Sequence, residues 1–240
     1  MPLPRIHRAA RAVLAIAVAG LLLLGAVAPG LVSVAAAADD KPVMTARALL
    51  QGHVRQGSWF AIAVDLENAG PAVTGELRVG GGADSKTRFG TPVELATGSR
   101  KTYLLYAQPP AFGGNMKVQL VSGDTVVSEA PVAIALHDPT QLVVGVVSEN
   151  PAKLVGELKL LPSQSGAAPT IATLTPADLP ERIQAWAALD RLVWQDVDAS
   201  TLTPAQLAAL RTWIAGGGRL VRVGGTAAAD SITGCPDGLL

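Results

Sequence analysis

Residues 179–226 read LPERIQAWAALDRLVWQDVDASTLTPAQLAALRTWIAGGGRLVRVGGT, and this stretch decides the fold. Thr203 is a suitable N-cap, Pro204 suits the first helical position, and Gln206 is placed to complete a capping box. Apolar residues then recur at helical spacing until the three glycines at 216–218 stop the helix. The sequence therefore predicts a capped amphipathic helix that packs against a flat surface.

Two short apolar runs, residues 189–194 and 219–224, lie on either side of this helix. Neither run alternates clearly, which is typical of strands covered on both faces of a sheet. They predict two parallel strands joined by a crossover helix. The preceding segment is predicted to add a central parallel strand, a helix, a second strand and a short amphipathic helix at residues 142–147, 151–161, 171–174 and 179–188.

The chain before residue 138 has a different pattern, with alternation of period two. Residues 59–67 read WFAIAVDLE, which indicates a half-buried antiparallel strand. Six further candidates are separated by turns rich in glycine and proline, and they lie at 43–50, 73–79, 87–95, 101–107, 116–121 and 125–136. About seven short strands in about a hundred residues predict a β-sandwich.

Four aromatic residues lie on these predicted strands: Trp59, Phe60, Tyr103 and Tyr106. We expect them to be core or strand-pair aromatics, and the alternative is a platform that stacks on sugars. His53 and His137 are each isolated in the sequence, without a second ligand at metal spacing. We therefore expect both histidines on the surface and predict no metal site.

The N-terminus has the pattern of a secretory signal peptide. Three arginines precede the apolar run of residues 12–28, and an Ala-x-Ala site at residues 36–38 follows it. We expect export, to the cell envelope or the medium, and an uncleaved membrane anchor is the alternative. Nineteen basic residues balance nineteen acidic ones, so no basic patch for nucleic acid is expected.

Three parts are therefore predicted: a signal peptide at residues 1–38, an all-β sandwich at 39–137 and an α/β domain at 138–240. The sandwich resembles the immunoglobulin-like modules of bacterial envelope proteins, in which a strand is followed by Asn-x-Gly, here Asn68-Ala69-Gly70. Such modules are usually spacers or contact platforms. The α/β domain is predicted to be a partial flavodoxin-like, doubly wound sheet, in which ligands bind outside the carboxyl ends of the strands.

Residues 142–226 resemble the class I glutamine amidotransferase-like fold. The resemblance is carried mainly by residues 188–226, ALDRLVWQDVDASTLTPAQLAALRTWIAGGGRLVRVGGT. Active members of that family carry a nucleophilic cysteine on the turn after the strand that is 219–223 here, and a downstream histidine activates it. In this sequence the turn is Gly224-Gly225-Thr226, Cys235 lies beyond it, and no histidine follows His137. The resemblance therefore implies the scaffold without the amidotransferase chemistry, and we predict no catalytic residue.

The candidate ligand-binding residues lie at the predicted strand ends, and they are Glu149, Asp196, Gly225 and Thr226. Asp196 and Asp198 could supply oxygen ligands to a divalent cation. The favoured alternative is that Asp198 and Ser200 cap the turn that leads into the next helix. No metal and no cofactor is predicted.

Three functions are compatible with this sequence. The favoured hypothesis is a non-catalytic extracytoplasmic protein of the envelope, a scaffold that binds a small ligand or an envelope partner. The alternative is an extracytoplasmic hydrolase whose catalytic groups lie partly in a continuation past Leu240, with Glu149 or Asp196 contributing. A third hypothesis is carbohydrate binding through the sandwich. The uncovered edge of the last predicted strand favours a longer chain, in which a membrane span would serve as a tether.

Overall fold

The computed structural model describes residues 41–80, 88–110, 116–159 and 168–224. The predicted signal peptide lies outside these ranges, as do Gly225, Thr226 and Cys235. The described residues belong to one compact unit. In the described ranges, no helix combines the length and the hydropathy that crossing a bilayer requires.

Two antiparallel sheets form the predicted β-sandwich. The first nine strands are β1 (Val43–Ala48), β2 (His53–Arg55), β3 (Phe60–Asn68), β4 (Val73–Gly80), β5 (Arg88–Leu95), β6 (Ser99–Ala107), β7 (Met116–Ser122), β8 (Thr125–Val132) and β9 (Ala135–His137). One sheet has the order β1-β3-β6 and the other the order β5-β4-β7-β8. This arrangement confirms an immunoglobulin-like sandwich.

The alternation along β3 sets how this strand packs. Its inward side chains fill the core between the sheets, and they are Phe60, Ile62, Val64 and Leu66. On the opposite face Ala61 and Ala63 are also buried, against Leu49 and Ala185. The strand is therefore covered on both faces along its first half, because a later part of the chain packs there.

One expectation for this region is met in part and another is wrong. Trp59, expected in the core or a strand pair, is 39% exposed and meets Phe89 edge-on with ring centroids 5.2 Å apart. Trp59 directly precedes β3, and Phe89 packs against the core between the two sheets, so Trp59 lies at the margin of that core. Residues 125–136, expected as one strand, form β8 and the separate β9, which pairs in parallel with β2.

The rest of the described chain forms a four-stranded parallel sheet with two α-helices. The strands are β10 (Val143–Ser148), β11 (Thr170–Leu174), β12 (Arg191–Gln195) and β13 (Arg219–Val223), and the helices are α1 (Pro151–Lys159) and α2 (Pro204–Ala215). The order β11-β10-β12-β13 makes β10 a central strand, as its continuous apolar sequence predicts. β13 lies at the edge of the described sheet.

The two helices cover opposite faces of this sheet. Leu154 of α1 packs with Val146 and Val193 on one face. Trp213 of α2 packs with Leu192 on the other face. Successive residues of β10 and β12 alternate between these two clusters, since both faces of a central strand are buried.

The short helix expected at residues 179–188 is wrong, because a 3-10 turn at Ile183–Trp186 forms instead. The indole Nε1 of Trp186 donates to the carbonyl oxygen of Pro180 at 3.0 Å. That carbonyl is thus used by a side chain rather than by a helical amide. Trp186 is fully buried, with its ring centroid 5.4 Å from that of Trp213, so the segment adds to the core.

The sandwich and the parallel sheet are joined by buried and charged contacts. Leu50, in a turn with φ of 53°, is 2% exposed and packs into the core around the parallel sheet. Arg55 of β2 contacts the carboxylate of Asp190 at 2.7 Å and donates to the carbonyls of Gln141 and Ala188. Because these three partners lie just before β10 and β12, Arg55 binds the amino-terminal edge of the sheet.

Candidate functional site

Three parallel strands end side by side at the carboxyl edge of the sheet. The register pairs Ser148 with Gln195, and Gln195 with Val223. The residues that directly follow these three are therefore brought to one edge, and they are Glu149, Asp196 and Gly224. Glu149 and Asp196 were predicted from the sequence as ligand-binding residues, whereas the predicted Gly225 and Thr226 lie outside the described residues.

A cleft of about 530 Å³ opens at this edge. Besides the strand ends it is bounded by the first turns of α1, including Lys153, Leu154 and Glu157. Its volume lies within the range of small-molecule sites, roughly 300–1,000 Å³. The lining is mostly polar, with Leu154 and Val223 as the apolar side chains, and every described lining residue belongs to the parallel-sheet part.

Hydrogen bonds fix the loops around the cleft. The amide of Asn150 donates to Ser148 Oγ at 3.2 Å, which holds the turn before α1. The indole of Trp194 donates to the carbonyl of Val197 at 2.7 Å and closes the loop after β12. Within that loop Asp196 has φ of 54°, a left-handed conformation that aspartate tolerates better than most residues. The position of Asp196 is therefore set by its loop.

The cleft contains charged groups of both signs. Three acidic residues, Glu149, Glu157 and Asp196, and one basic residue, Lys153, line it. Within the described residues, Glu149 and Lys153 form no hydrogen bond or ion pair. Both charges are thus available to a bound molecule. Lys153 and Glu157 were missed from the sequence, although their spacing of four on a helix that follows a strand end is a signal that could have found them.

The carboxylate of Asp198 caps the turn that follows β12, as expected from the sequence. Its carboxylate accepts from the hydroxyl of Ser200 at 2.6 Å and from the amide of Ser200 at 2.8 Å. These two hydrogen bonds hold the pKa of Asp198 below its usual value, and the bond from the hydroxyl of Ser200 has the larger effect. Across the described ranges, no group of three or more His, Cys, Asp or Glu residues could hold a metal ion.

A second, smaller hollow of about 320 Å³ lies on the sheet of β1, β3 and β6. Its carboxylates already have partners in the protein. Asp65 accepts from Thr102 Oγ1 at 2.6 Å, and Glu67 pairs with Arg100. This hollow therefore offers fewer available charges to a ligand than the cleft does.

The expectation that His53 and His137 are isolated surface residues is wrong. His137 is buried, His53 is half-buried, and Nδ1 of His53 lies 2.7 Å from Nε2 of His137. The parallel pairing of β2 with β9 brings these residues together across 84 positions of sequence. No local pattern could have revealed this pair, because β2 is only three residues long.

Comparisons with known proteins bear on the sandwich. A family model described as Domain of unknown function (DUF8726) matches residues 41–135. No curated protein matches the chain. Among solved structures, the CARDB domain of the PF1109 protein from Pyrococcus furiosus, in complex with di-metal ions, is 17% identical; the match covers 41% of this chain and 90% of that one, with a TM-score of 0.29.

Two enzymes of sugar chemistry are also similar to parts of the chain. A β-glucosidase from Kluyveromyces marxianus is 17% identical over 39% of this chain and 14% of its own, with a TM-score of 0.24. A cycloisomaltooligosaccharide glucanotransferase from Paenibacillus sp. is 13% identical over 75% of this chain and 28% of its own, with a TM-score of 0.29. At these identities and TM-scores the likenesses carry no argument about function.

The resemblance to the class I glutamine amidotransferase-like fold is wrong. The described residues fold predominantly into strands, with two α-helices among them. The stretch that suggested the resemblance comprises β12, α2 and β13. This strand–helix–strand unit recurs in many parallel sheets, so its pattern does not distinguish one family from another.

Proposed function

We propose that this chain is a non-catalytic binding scaffold of the bacterial cell envelope, which takes a small polar ligand or a short segment of a partner protein in the cleft at the carboxyl edge. The observation that supports this proposal most directly is the position of the cleft within the strand order of the parallel sheet. β10 connects through α1 to β11 on one side, and β12 connects through α2 to β13 on the other. The cleft lies where these two connections diverge.

This divergence supports the finer proposal that the parallel sheet belongs to a flavodoxin-like, doubly wound domain. Neighbouring strands whose connections leave in opposite directions create a crevice between the loops at their carboxyl ends. In open α/β sheets, ligands bind in this crevice. Glu149 follows the first of the two strands and Asp196 the second, so both are placed to contact a ligand there.

The proposed location follows from the N-terminal sequence. The arginines, the apolar run and the Ala-x-Ala site of residues 1–38 support export of the remaining chain. The immunoglobulin-like sandwich would then act as a spacer that carries the binding part. The balance of charge supports a small molecule or an envelope protein, and no nucleic acid, as the partner.

The substitution Gly224→Leu tests the cleft. An added Cβ at Gly224 meets no atom within 4 Å, so we expect the fold to accept a leucine at this position of the cleft lining. We expect small polar fragments, titrated into the full chain, to shift the amide NMR signals of residues 148–150, 195–196 and 224. Gly224→Leu should abolish these shifts and leave the melting temperature unchanged.

Gly156→Leu is the matched control. It makes the same chemical change on the exposed side of α1, where an added Cβ also meets no atom within 4 Å. This variant should bind the fragments like the unmodified protein. Shifts confined to the hollow on β1, β3 and β6, or equal binding by the two variants, would contradict the proposal.

A further inference from the structure

The two histidine rings at the junction meet end to end. Their planes are inclined by only 22°, and their centroids are 5.0 Å apart, while the facing nitrogens are 2.7 Å apart. The distance between the two ring centroids thus exceeds the distance between the two facing nitrogens by about the diameter of one imidazole ring. This geometry is that of an in-plane N–H···N hydrogen bond, which needs one donor and one acceptor nitrogen.

The neighbouring hydrogen bonds fix which nitrogen donates. Gln141 donates from Nε2 to Thr170 Oγ1 at 2.8 Å, so its Oε1 faces Nδ1 of His137 at 3.0 Å. Nδ1 of His137 therefore carries a hydrogen, and Nε2 is the acceptor in the neutral ring. Nδ1 of His53 must then donate to it, which leaves Nε2 of His53 without a hydrogen.

These hydrogen bonds connect the two parts of the molecule. They run from His53 on β2 through His137 on β9 to Gln141, and from there to Thr170 at the start of β11. The pairing of Arg55 with Asp190 lies beside them. We propose that His53 and His137 form a pH-sensitive latch, which holds the sandwich against the parallel sheet while both rings are neutral and releases it in acid.

The latch works because the closed pair holds fewer protons than two separated rings. A first proton can enter at Nε2 of His53, since Nδ1 still donates to His137. A second would have to enter at Nε2 of His137, and two N–H groups would then face each other at 2.7 Å. Separated imidazoles each accept a proton near a pKa of about 6.5. Opening therefore takes up at least one proton.

The direction of the pH effect follows from this proton count. Burial is the largest cause that lowers the pKa of His53 from 6.5, so the closed state resists even the first proton. The histidine pair therefore contributes its full stabilisation of the closed state at a pH above the ordinary pKa of histidine. This stabilisation is lost as the pH falls below that pKa. Uptake of one proton raises the opening constant about tenfold for each pH unit below about 6.5.

The other charged groups at this junction have their own partners. Arg55, on the same strand as His53, is paired with Asp190 just before β12. Asp138 directly follows His137 and accepts from the amide and the hydroxyl of Thr140, which lower its pKa. The carboxylate of Asp138 therefore remains ionised in the range where histidine titrates, and the pH response belongs to the two imidazoles.

Hydrogen exchange on the full chain tests the latch. The amide of Gln56 donates to the carbonyl of His137 at 3.0 Å, so it and the amides of β2 and β9 report opening. After correction for intrinsic rates, we expect the opening constant to rise on the order of thirtyfold between about pH 6.5 and about pH 5. The double variant His53→Gln, His137→Gln should lose this dependence.

Two further measurements keep the test decisive. Asp138→Asn removes the carboxylate beside His137 and should leave the pH dependence unchanged. An NMR titration of the unmodified protein should show the closed pair taking up fewer than two protons above about pH 5. The latch is overturned if both histidines titrate normally in the closed protein, if exchange at β2 and β9 is insensitive to pH, or if Asp138→Asn alone abolishes the dependence.

Discussion

At the scale of single residues, the carboxylate of Asp190 joins three parts of the chain. Its Oδ2 accepts from the amide of Val143 at 2.8 Å and from Arg55 at 2.7 Å, and its Oδ1 lies 3.3 Å from the second guanidinium nitrogen. One side chain thus fixes the start of β10 and the attachment of the sandwich. The sequence did not indicate this role, because Arg55 is 135 positions away.

We expect Asp190→Asn to lower the free energy of unfolding by about 2 kcal/mol. The variant weakens hydrogen bonds to a charged group and leaves Arg55, whose side chain is 16% exposed, without its counter-charge. Urea denaturation measures the loss. Glu67→Gln is the control, since Glu67 and Arg100 form a mostly exposed pair, and it should change the free energy by less than about 0.5 kcal/mol. Equal effects of the two substitutions would contradict this role of Asp190.

At the scale of elements, α2 shows what local sequence can predict. The capping box forms as expected, with Gln206 N donating to Thr203 Oγ1 at 3.1 Å and Thr203 N donating to Gln206 Oε1 at 2.9 Å. These contacts join residues three apart, so the pattern alone indicates them. Nε2 of the buried Gln206 also donates to the carbonyls of Pro176 and Leu179, and no local pattern could show that.

Removal of the cap should be measurable. We expect Thr203→Ala to cost about 1 kcal/mol, because the first turn of α2 loses a side-chain acceptor for its amides. Thr212→Ala on the exposed side of the same helix is the control and should be neutral or slightly stabilising, since alanine is the better helix former. Thermal unfolding followed by circular dichroism separates the two, and an equal loss in both variants would show that the cap is unimportant.

The carboxyl-edge cleft also illustrates the limit of sequence reasoning at this scale. Its position could be predicted, since Glu149 and Asp196 each follow an apolar run that was recognised as a parallel strand. The expected helix at 179–188 failed because Trp186 bonds to the carbonyl of Pro180, a contact made by a buried side chain rather than by the backbone. Periodicity reports which face of an element is buried, and it does not report such side-chain contacts.

At the scale of the whole molecule, the junction between the sandwich and the parallel sheet was not predicted at all. Leu50 belongs to the turn after β1, yet its side chain is buried in the core around the parallel sheet. We expect Leu50→Ala to lower the free energy of unfolding by about 2–4 kcal/mol, because a cavity forms in a core that both parts share. Denaturation followed by tryptophan fluorescence reports the loss, since Trp186 and Trp213 lie in that core.

Val126→Ala is the control for this prediction. Val126 is 46% exposed on β8, so its truncation should change the free energy by less than about 0.5 kcal/mol. An effect of Leu50→Ala as small as that of the control would mean that the two parts of the molecule do not share a core.

The central proposal is that this protein binds its ligand or partner in the cleft between the ends of β10 and β12. An electron-density map of crystals soaked with small polar fragments tests it most directly. We expect density between Glu149 and Asp196, in contact with Lys153 and the start of α1. Density confined to the sandwich, at the hollow beside Glu67 and Arg100, would contradict the claim.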